Sequence, residues 1–202
     1  MGSGVTGLLI AFEGLDQSGK QTQAELLRDR LAIAGRNVRL LSFPDYQTVI
    51  GAEIRSALRG ERDYAPDVMQ LLYVANRHEF KSEIVDAKDA GAILLCDRYL
   101  ASSVAYGEAQ GLDAAWLVEI QRFLPQPDVT VLLDIPPEVS ASRKTANRDR
   151  YEQDLTLLAR VRDSYLRQAA GKGWIRLDAD RDRDVIAADV HAAVEAHLAR
   201  RT

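Results

Sequence analysis

The 202-residue chain has one cysteine, no basic excess and no long apolar stretch. No hydrophobic run approaches the roughly 20 residues that a membrane-spanning helix requires. The longest, such as 92–96, have the length of strands. A membrane span is therefore not expected. The N-terminus has neither the basic start nor the apolar core of a signal peptide, so export is not expected either. One cysteine forms no internal disulfide and no cysteine zinc site, which suits a reducing cytosol. With 26 Lys plus Arg against 30 Asp plus Glu, the net charge of -4 argues against broad nucleic-acid binding. It leaves room for a local anion site. His78, His191 and His197 lack the paired spacing or acidic surroundings of a metal or general-base site. No repeat of 20 to 50 residues, low-complexity tract or linker interrupts the chain. Its length suits one domain over 1–202.

What is present is an alternation. Residues 8–12 form a nearly continuous apolar run, the mark of a strand buried on both faces. Helical spacing of Ala24, Leu27 and Leu31 follows, ending at Gly35. Strands are predicted at 38–42, 92–96, 129–135 and 174–177. Helices are predicted at 50–58, from Pro66 to about Lys88, and at about 100–122, 137–147, 151–170 and 183–200. Strand–helix–strand units of this kind imply an α/β fold, a five-stranded parallel sheet flanked by helices on both faces. Ligands in such sheets bind beyond the carboxyl ends of the strands.

The strongest motif lies there. Gly14-Leu15-Asp16-Gln17-Ser18-Gly19-Lys20 is a GxxxxGK phosphate loop between a buried strand and an amphipathic helix. Its glycines let backbone N–H groups converge on a phosphate, the helix N-terminus adds positive potential, and Lys20 adds a mobile charge. The Ser or Thr that usually follows the lysine, and whose hydroxyl ligates magnesium, is replaced by Gln21. Its amide can offer an oxygen, leave the place to water, or point away. Thr22 is better placed for a phosphate oxygen. Asp97, at the end of the third strand, can hold magnesium or its waters, or cap the next helix. Arg98 beside it is costly near a buried strand without an anionic partner. Tyr73 and Arg77, four residues apart, share a helix face and suit either a base platform or core plus solvated surface. The segment 143–150 holds four cations and one carboxylate, a pattern of solvated helix ends.

Phe12-Glu13-Gly14-Leu15-Asp16 with Gly19-Lys20, then Phe43-Pro44, then Cys96-Asp97-Arg98-Tyr99 with Ser102-Ser103 and Tyr106 occur in the order and at the intervals of thymidylate kinases. The chain resembles that family from about Leu8 to Leu198, and the 97–106 segment carries the most specific part of the likeness. The resemblance implies a P-loop nucleoside monophosphate kinase that transfers the terminal phosphoryl group of magnesium ATP to dTMP, in a cytoplasmic homodimer built on helices around 50–88. It implies dTMP contacts from Asp16, Phe43, Pro44, Tyr73, Arg77, Arg98, Ser102, Ser103 and Tyr106. Tyr73 would stack on thymine, Arg77 reach a ring carbonyl, Ser103 contact the base edge, and Tyr106 press on the sugar and disfavour a ribose hydroxyl. ATP would engage 14–22, Arg143 and Asp180, and Asp97 the Mg2+. A lid at about 137–150 would close over the phosphates. Gln17 stands where some members carry an arginine, which makes Arg148 and Arg143 the candidates for stabilising the transferring group beside Lys20, Asp16 and Arg98. A deoxynucleoside kinase and a nucleotide-binding homologue without turnover are the rival readings; Gln21 motivates the second.

Overall fold

The computed structural model describes residues 7–143 and 154–199. Five strands, β1 (Leu8–Glu13), β2 (Val38–Ser42), β3 (Ile93–Asp97), β4 (Val129–Asp134) and β5 (Trp174–Asp178), form one parallel sheet in the order β2-β3-β1-β4-β5. The placement follows from apolarity: β1 and β4 are buried at every position, whereas the edge strands β2 and β5 carry only half-buried and exposed residues. Successive side chains of β1 point to opposite faces of the sheet. Leu8, Ile10 and Phe12 accordingly join one core cluster with Leu27 and Leu31, while Leu9 and Ala11 join another with Ile84 and Ala87.

Nine helices occur among the described residues. They are α1 (Lys20–Ile33), α2 (Val49–Leu58), α3 (Pro66–Glu79), α4 (Lys81–Asp89), α5 (Leu100–Ala109), α6 (Ala114–Glu119), α7 (Pro137–Arg143), α8 (Leu155–Ala169) and α9 (Arg183–Ala199). Two expected long helices are each divided. The stretch from Pro66 to Lys88 breaks at Phe80, whose N–H bonds Arg77 O and whose ring packs edge-on against Phe43 at 5.5 Å. The stretch over 100–122 breaks at Gly111, with φ 89°, and restarts where the Asp113 carboxylate accepts Trp116 N–H at 2.8 Å. Both breaks substitute a tertiary or capping contact for helix continuity. The expected helix at 137–147 is described as α7 up to Arg143.

The carboxyl ends of β1, β3 and β4 place the phosphate loop, the 97–99 turn and α7 side by side. No described helix is long and apolar enough to cross a membrane.

Candidate active site

The phosphate loop leaves β1 at Gly14, with φ 143°; a Cβ there would lie 2.4 Å from Leu133 O and 2.8 Å from Ser18 Oγ. Only glycine permits that approach to the β4 backbone. Gly19, with φ 91°, caps α1, and no carboxylate stands in the helix's first turn to compete for its N–H groups. Leu15 sinks its side chain into the core, so this position offers a ligand only backbone. Lys20 is buried and donates to Leu15 O at 2.7 Å. Burial and the neighbouring Arg98 charge pull its pKa down to about 8, against the upward pull of Asp16, Asp97 and Glu13. An anion arriving in the loop would strengthen its positive charge. Ser18 Oγ and Asp97 Oδ1 are buried without a hydrogen-bond partner, an arrangement that awaits one.

Gln21 takes the third of its three options. Its amide donates to Glu25 at 2.9 Å on the exposed face of α1. Thr22 is also exposed on that helix.

The 97–102 turn is set by a residue to which the sequence reading gave no separate role. Glu13, fully buried at the end of β1, accepts Tyr99 N–H at 2.9 Å, Ser102 N–H at 3.2 Å and the Ser102 hydroxyl at 2.6 Å. Tyr165 from α8 donates to the same carboxylate at 3.1 Å. Glu13 thereby caps the N-terminus of α5 from another strand, where a carboxylate complements the helix dipole. The turn it secures holds Arg98 at φ 63°, in the left-handed region, a conformation that costs about 1–3 kcal/mol unless the surroundings impose it. Arg98 N–H bonds Phe12 O at 2.9 Å and completes the restraint.

Arg98 then finds its anionic partner. Its guanidinium forms an ion pair with Asp16, contacts Gly14 O at 3.4 Å and Ser102 Oγ at 3.3 Å, and lies over the Tyr106 ring at 5.3 Å. Tyr106 donates to Asp16 at 2.9 Å. Burial would raise the Asp16 pKa, but the Arg98 and Lys20 charges and these hydrogen bonds overcome it and hold the carboxyl at about 2. Burial likewise opposes the Arg98 charge, and Asp16 outweighs it, keeping the guanidinium ionised. A phosphate entering here meets a cation that its neighbours have already oriented.

All nine residues expected to contact dTMP line a single cleft: Asp16, Phe43, Pro44, Tyr73, Arg77, Arg98, Ser102, Ser103 and Tyr106. Tyr46, Leu58, Gln70 and Gln110, which no motif marks, line it too. Arg77 is buried and bonds Ser103 Oγ at 2.7 Å and Gln121 Oε1 at 3.4 Å. Asn76, buried beside it, bonds both the N–H and the carbonyl of Asp45 and so ties the loop after β2 to α3. The signal for Glu13 was a carboxylate ending an otherwise apolar strand, since a buried charge requires donors. Gln70 and Asn76 had no comparable mark, being polar residues on a helix face.

On the other side of the loop, Ser140 donates to Asp16 O at 2.7 Å and joins α7 to the phosphate loop. Arg143, at the end of α7, bonds Gln17 O at 3.1 Å, Ala179 O at 3.0 Å and the Asp180 carboxylate at 3.2 Å. It brings together the loop after β5 and the phosphate loop, the two segments expected to flank ATP. Asp134 braces this region by pairing with Arg162 at 2.7 Å and Arg176 at 2.6 Å. Arg148 and the rest of 144–153 lie outside the described residues.

A parallel α/β sheet, a phosphate loop at its carboxyl edge and a separate anion-ready cleft beside it define a P-loop phosphotransferase. Comparison with known proteins narrows the class. The thymidylate kinase family model matches residues 12–190. The chain is 34% identical over 193 residues to a thymidylate kinase of Schizosaccharomyces pombe, covering 93% of this chain and 90% of that one. It is 38% identical over 172 residues to a probable thymidylate kinase of Pyrococcus abyssi, covering 81% and 83%. The structure of thymidylate kinase from Candida albicans aligns with a TM-score of 0.81 at 29% identity, over 95% of this chain and 92% of that one. The chain belongs to the thymidylate kinase family. It is a kinase that phosphorylates dTMP in nucleotide biosynthesis, with ATP as the donor.

Proposed function

We propose that the cleft holding Arg98 binds dTMP and that the phosphate loop, Lys20 and the α7 side bind ATP, so that the two ligands meet across Asp16. The observation that carries this assignment is the convergence of all nine expected acceptor residues on one cleft, beside but distinct from the loop. Arg98 would hold the acceptor phosphate and Asp16 would orient Arg98 and face the sugar. Tyr106 would stand against the sugar's 2' side. Tyr73 would stack on the base, with Arg77 and Ser103 at its edge and Phe43 and Pro44 as its wall. The backbone of 14–22, together with Lys20, would cradle the donor phosphates, with Arg143 and Asp180 near the donor's base. Ser102 acts mainly through Glu13 and Arg98, and Gln21 and Thr22 through backbone.

The chemistry asks for positioning and charge neutralisation: the acceptor phosphate is itself the nucleophile, so no strong general base is required. Arg98, a cation in the cleft together with Tyr73 and Arg77, favours this reading over a deoxynucleoside kinase, whose acceptor hydroxyl is neutral and must be deprotonated. The intact loop and Lys20 favour it over a homologue without turnover. Mg2+ fits the site. Asp97, at the end of β3, presents an unpartnered buried carboxylate oxygen, a hard donor that suits a cation held chiefly by phosphates and water. When bound, the ion neutralises phosphate charge; Asp97 would hold it or its waters.

We further infer one catalytic domain with a lid at 137–150, a cytoplasmic location, and a homodimer through α2 and α3, which expose Val49, Val68 and Leu71. The deciding experiment for the ligand assignment is steady-state kinetics of Arg98→Ala. The KM for dTMP should rise at least tenfold, with the KM for ATP changing less than threefold. Equal effects on both would overturn it.

A further inference from the structure

Gln70 is fully buried on α3, lines the acceptor cleft, and has no hydrogen-bond partner at either Oε1 or Nε2. Such a side chain is unusual, because buried amides are ordinarily paired. Of the other buried amides, Gln23 leaves its Oε1 unpartnered but donates from Nε2 to Arg183 O at 3.0 Å, while Gln121 and Asn76 use both ends. Gln121 donates to Leu100 O at 3.2 Å and Leu117 O at 2.8 Å and accepts from Arg77. Asn76 uses both ends of its amide on the Asp45 backbone. Gln70 therefore keeps an unfavourable state, and it does so on the wall where a base is to be read.

Its position gives the state a purpose. Gln70, Tyr73 and Arg77 are three and seven residues apart on one helix and share the face that lines the cleft. Arg77 has donors only and can read a carbonyl; the Ser103 hydroxyl oxygen already accepts from Arg77. A ring N–H needs an acceptor, and Gln70 Oε1 is a fully buried acceptor on this wall that has no partner. A primary amide places that acceptor beside a donor, the complement of an imide edge in which a ring N–H adjoins a carbonyl. We propose that Gln70 is a specificity-determining residue of the acceptor site, its amide accepting the ring N–H and donating to a carbonyl of the dTMP base. The inference rests on the assignment of this cleft to dTMP.

The test compares Gln70→Leu and Gln70→Met with the parent enzyme. Both remove the polar atoms while keeping most of the volume. In each variant KM for dTMP and for dUMP, which carries the same imide edge, should rise together by about tenfold or more, as expected for losing a paired base contact. The preference for dTMP over dCMP, read as KM or as inhibition constant, should fall, because cytosine lacks that ring N–H. KM for ATP should stay within twofold. Removing an unpaired buried amide should also raise the melting temperature of the ligand-free protein by about 2–4 °C. A lower melting temperature with unchanged dTMP kinetics would make Gln70 a structural residue and overturn the proposal. A changed dTMP to dUMP ratio would overturn it too, by placing the side chain against position 5. A raised KM for dTMP in Arg98→Ala, but no acceptor effect in the Gln70 variants, would dismiss Gln70 alone; no acceptor effect in any of the three would dismiss the cleft assignment itself.

Discussion

The two sides of this site that we assign to donor and acceptor are made from different materials. The donor side is largely backbone: glycines at 14 and 19, the N-terminus of α1, and one lysine that donates to a carbonyl of its own loop. The acceptor side is a lattice of side chains drawn from distant segments. Glu13 meets Tyr99, Ser102 and Tyr165; Arg98 meets Asp16; Arg77 meets Ser103 and Gln121. A phosphate group is recognised by converging N–H groups and charge, which any sequence with the right glycines supplies. A particular nucleotide must be recognised by shape and by the sign of each hydrogen-bonding group, which only positioned side chains supply. Generality on one side and selectivity on the other follow from that division.

The comparison breaks most visibly at Lys20. Lys20→Ala should lower kcat by about a thousandfold, since it removes a preorganised charge from the transferring group, with a smaller effect on dTMP binding. Rapid-quench or coupled measurement of ADP release checks this, and a change confined to the KM for dTMP would merge the two sides. Glu13→Ala should act on the acceptor side at a distance. Leaving the α5 N-terminus and two hydroxyls without their acceptor should destabilise the protein by about 3 kcal/mol and raise the KM for dTMP more than that for ATP. Thermal unfolding with paired kinetics separates these effects.

Much of the donor side was legible from the chain because its logic is local. The strand at 8–12, the glycine spacing and the lysine lie within one short segment, and the apolar runs mark the buried strands. The strand order was not legible, since pairing is decided between segments. The acceptor residues were named through likeness to a family, and the cleft unites them. What holds them was hidden for a physical reason: Glu13 and Tyr165 are separated by 152 positions, and Glu13 and Tyr99 by 86. A polar residue on a helix, such as Gln70 or Asn76, looks solvated until its neighbours are known. The helix breaks at Phe80 and Gly111 illustrate the same contrast. Gly111 and Asp113 are local stop and start signals that apolar periodicity overrode, whereas Phe80 is stopped by a ring from another segment, Phe43.

A pH test sharpens the donor side. Lys20 is held down at about 8 by burial and by Arg98, so at pH 8.5 a large fraction should be neutral, the charge being lost as pH rises through that value. Bound phosphates restore it, so ATP binding at pH 8.5 should take up protons, whereas at pH 7 it should take up few through this group. Calorimetry in buffers of different ionisation enthalpy measures the uptake; equal values at both pH values would contradict the assignment. The smallest expected effect belongs to the acceptor side. Tyr106→Phe removes the 2.9 Å bond to Asp16 but leaves the ring. It should raise the KM for dTMP about fivefold, the equivalent of about 1 kcal/mol, while the preference for dTMP over its ribose counterpart persists.

The account turns on an acceptor side that is built before its ligand arrives. A crystal structure with dTMP and a non-hydrolysable ATP analogue measures this directly. The backbone of 97–103, including the left-handed Arg98, should superpose on the ligand-free arrangement, with the Arg98 guanidinium on the dTMP phosphate and the base stacked on Tyr73. A rebuilt 97–103 turn, or a dTMP phosphate bound away from Arg98, would contradict it.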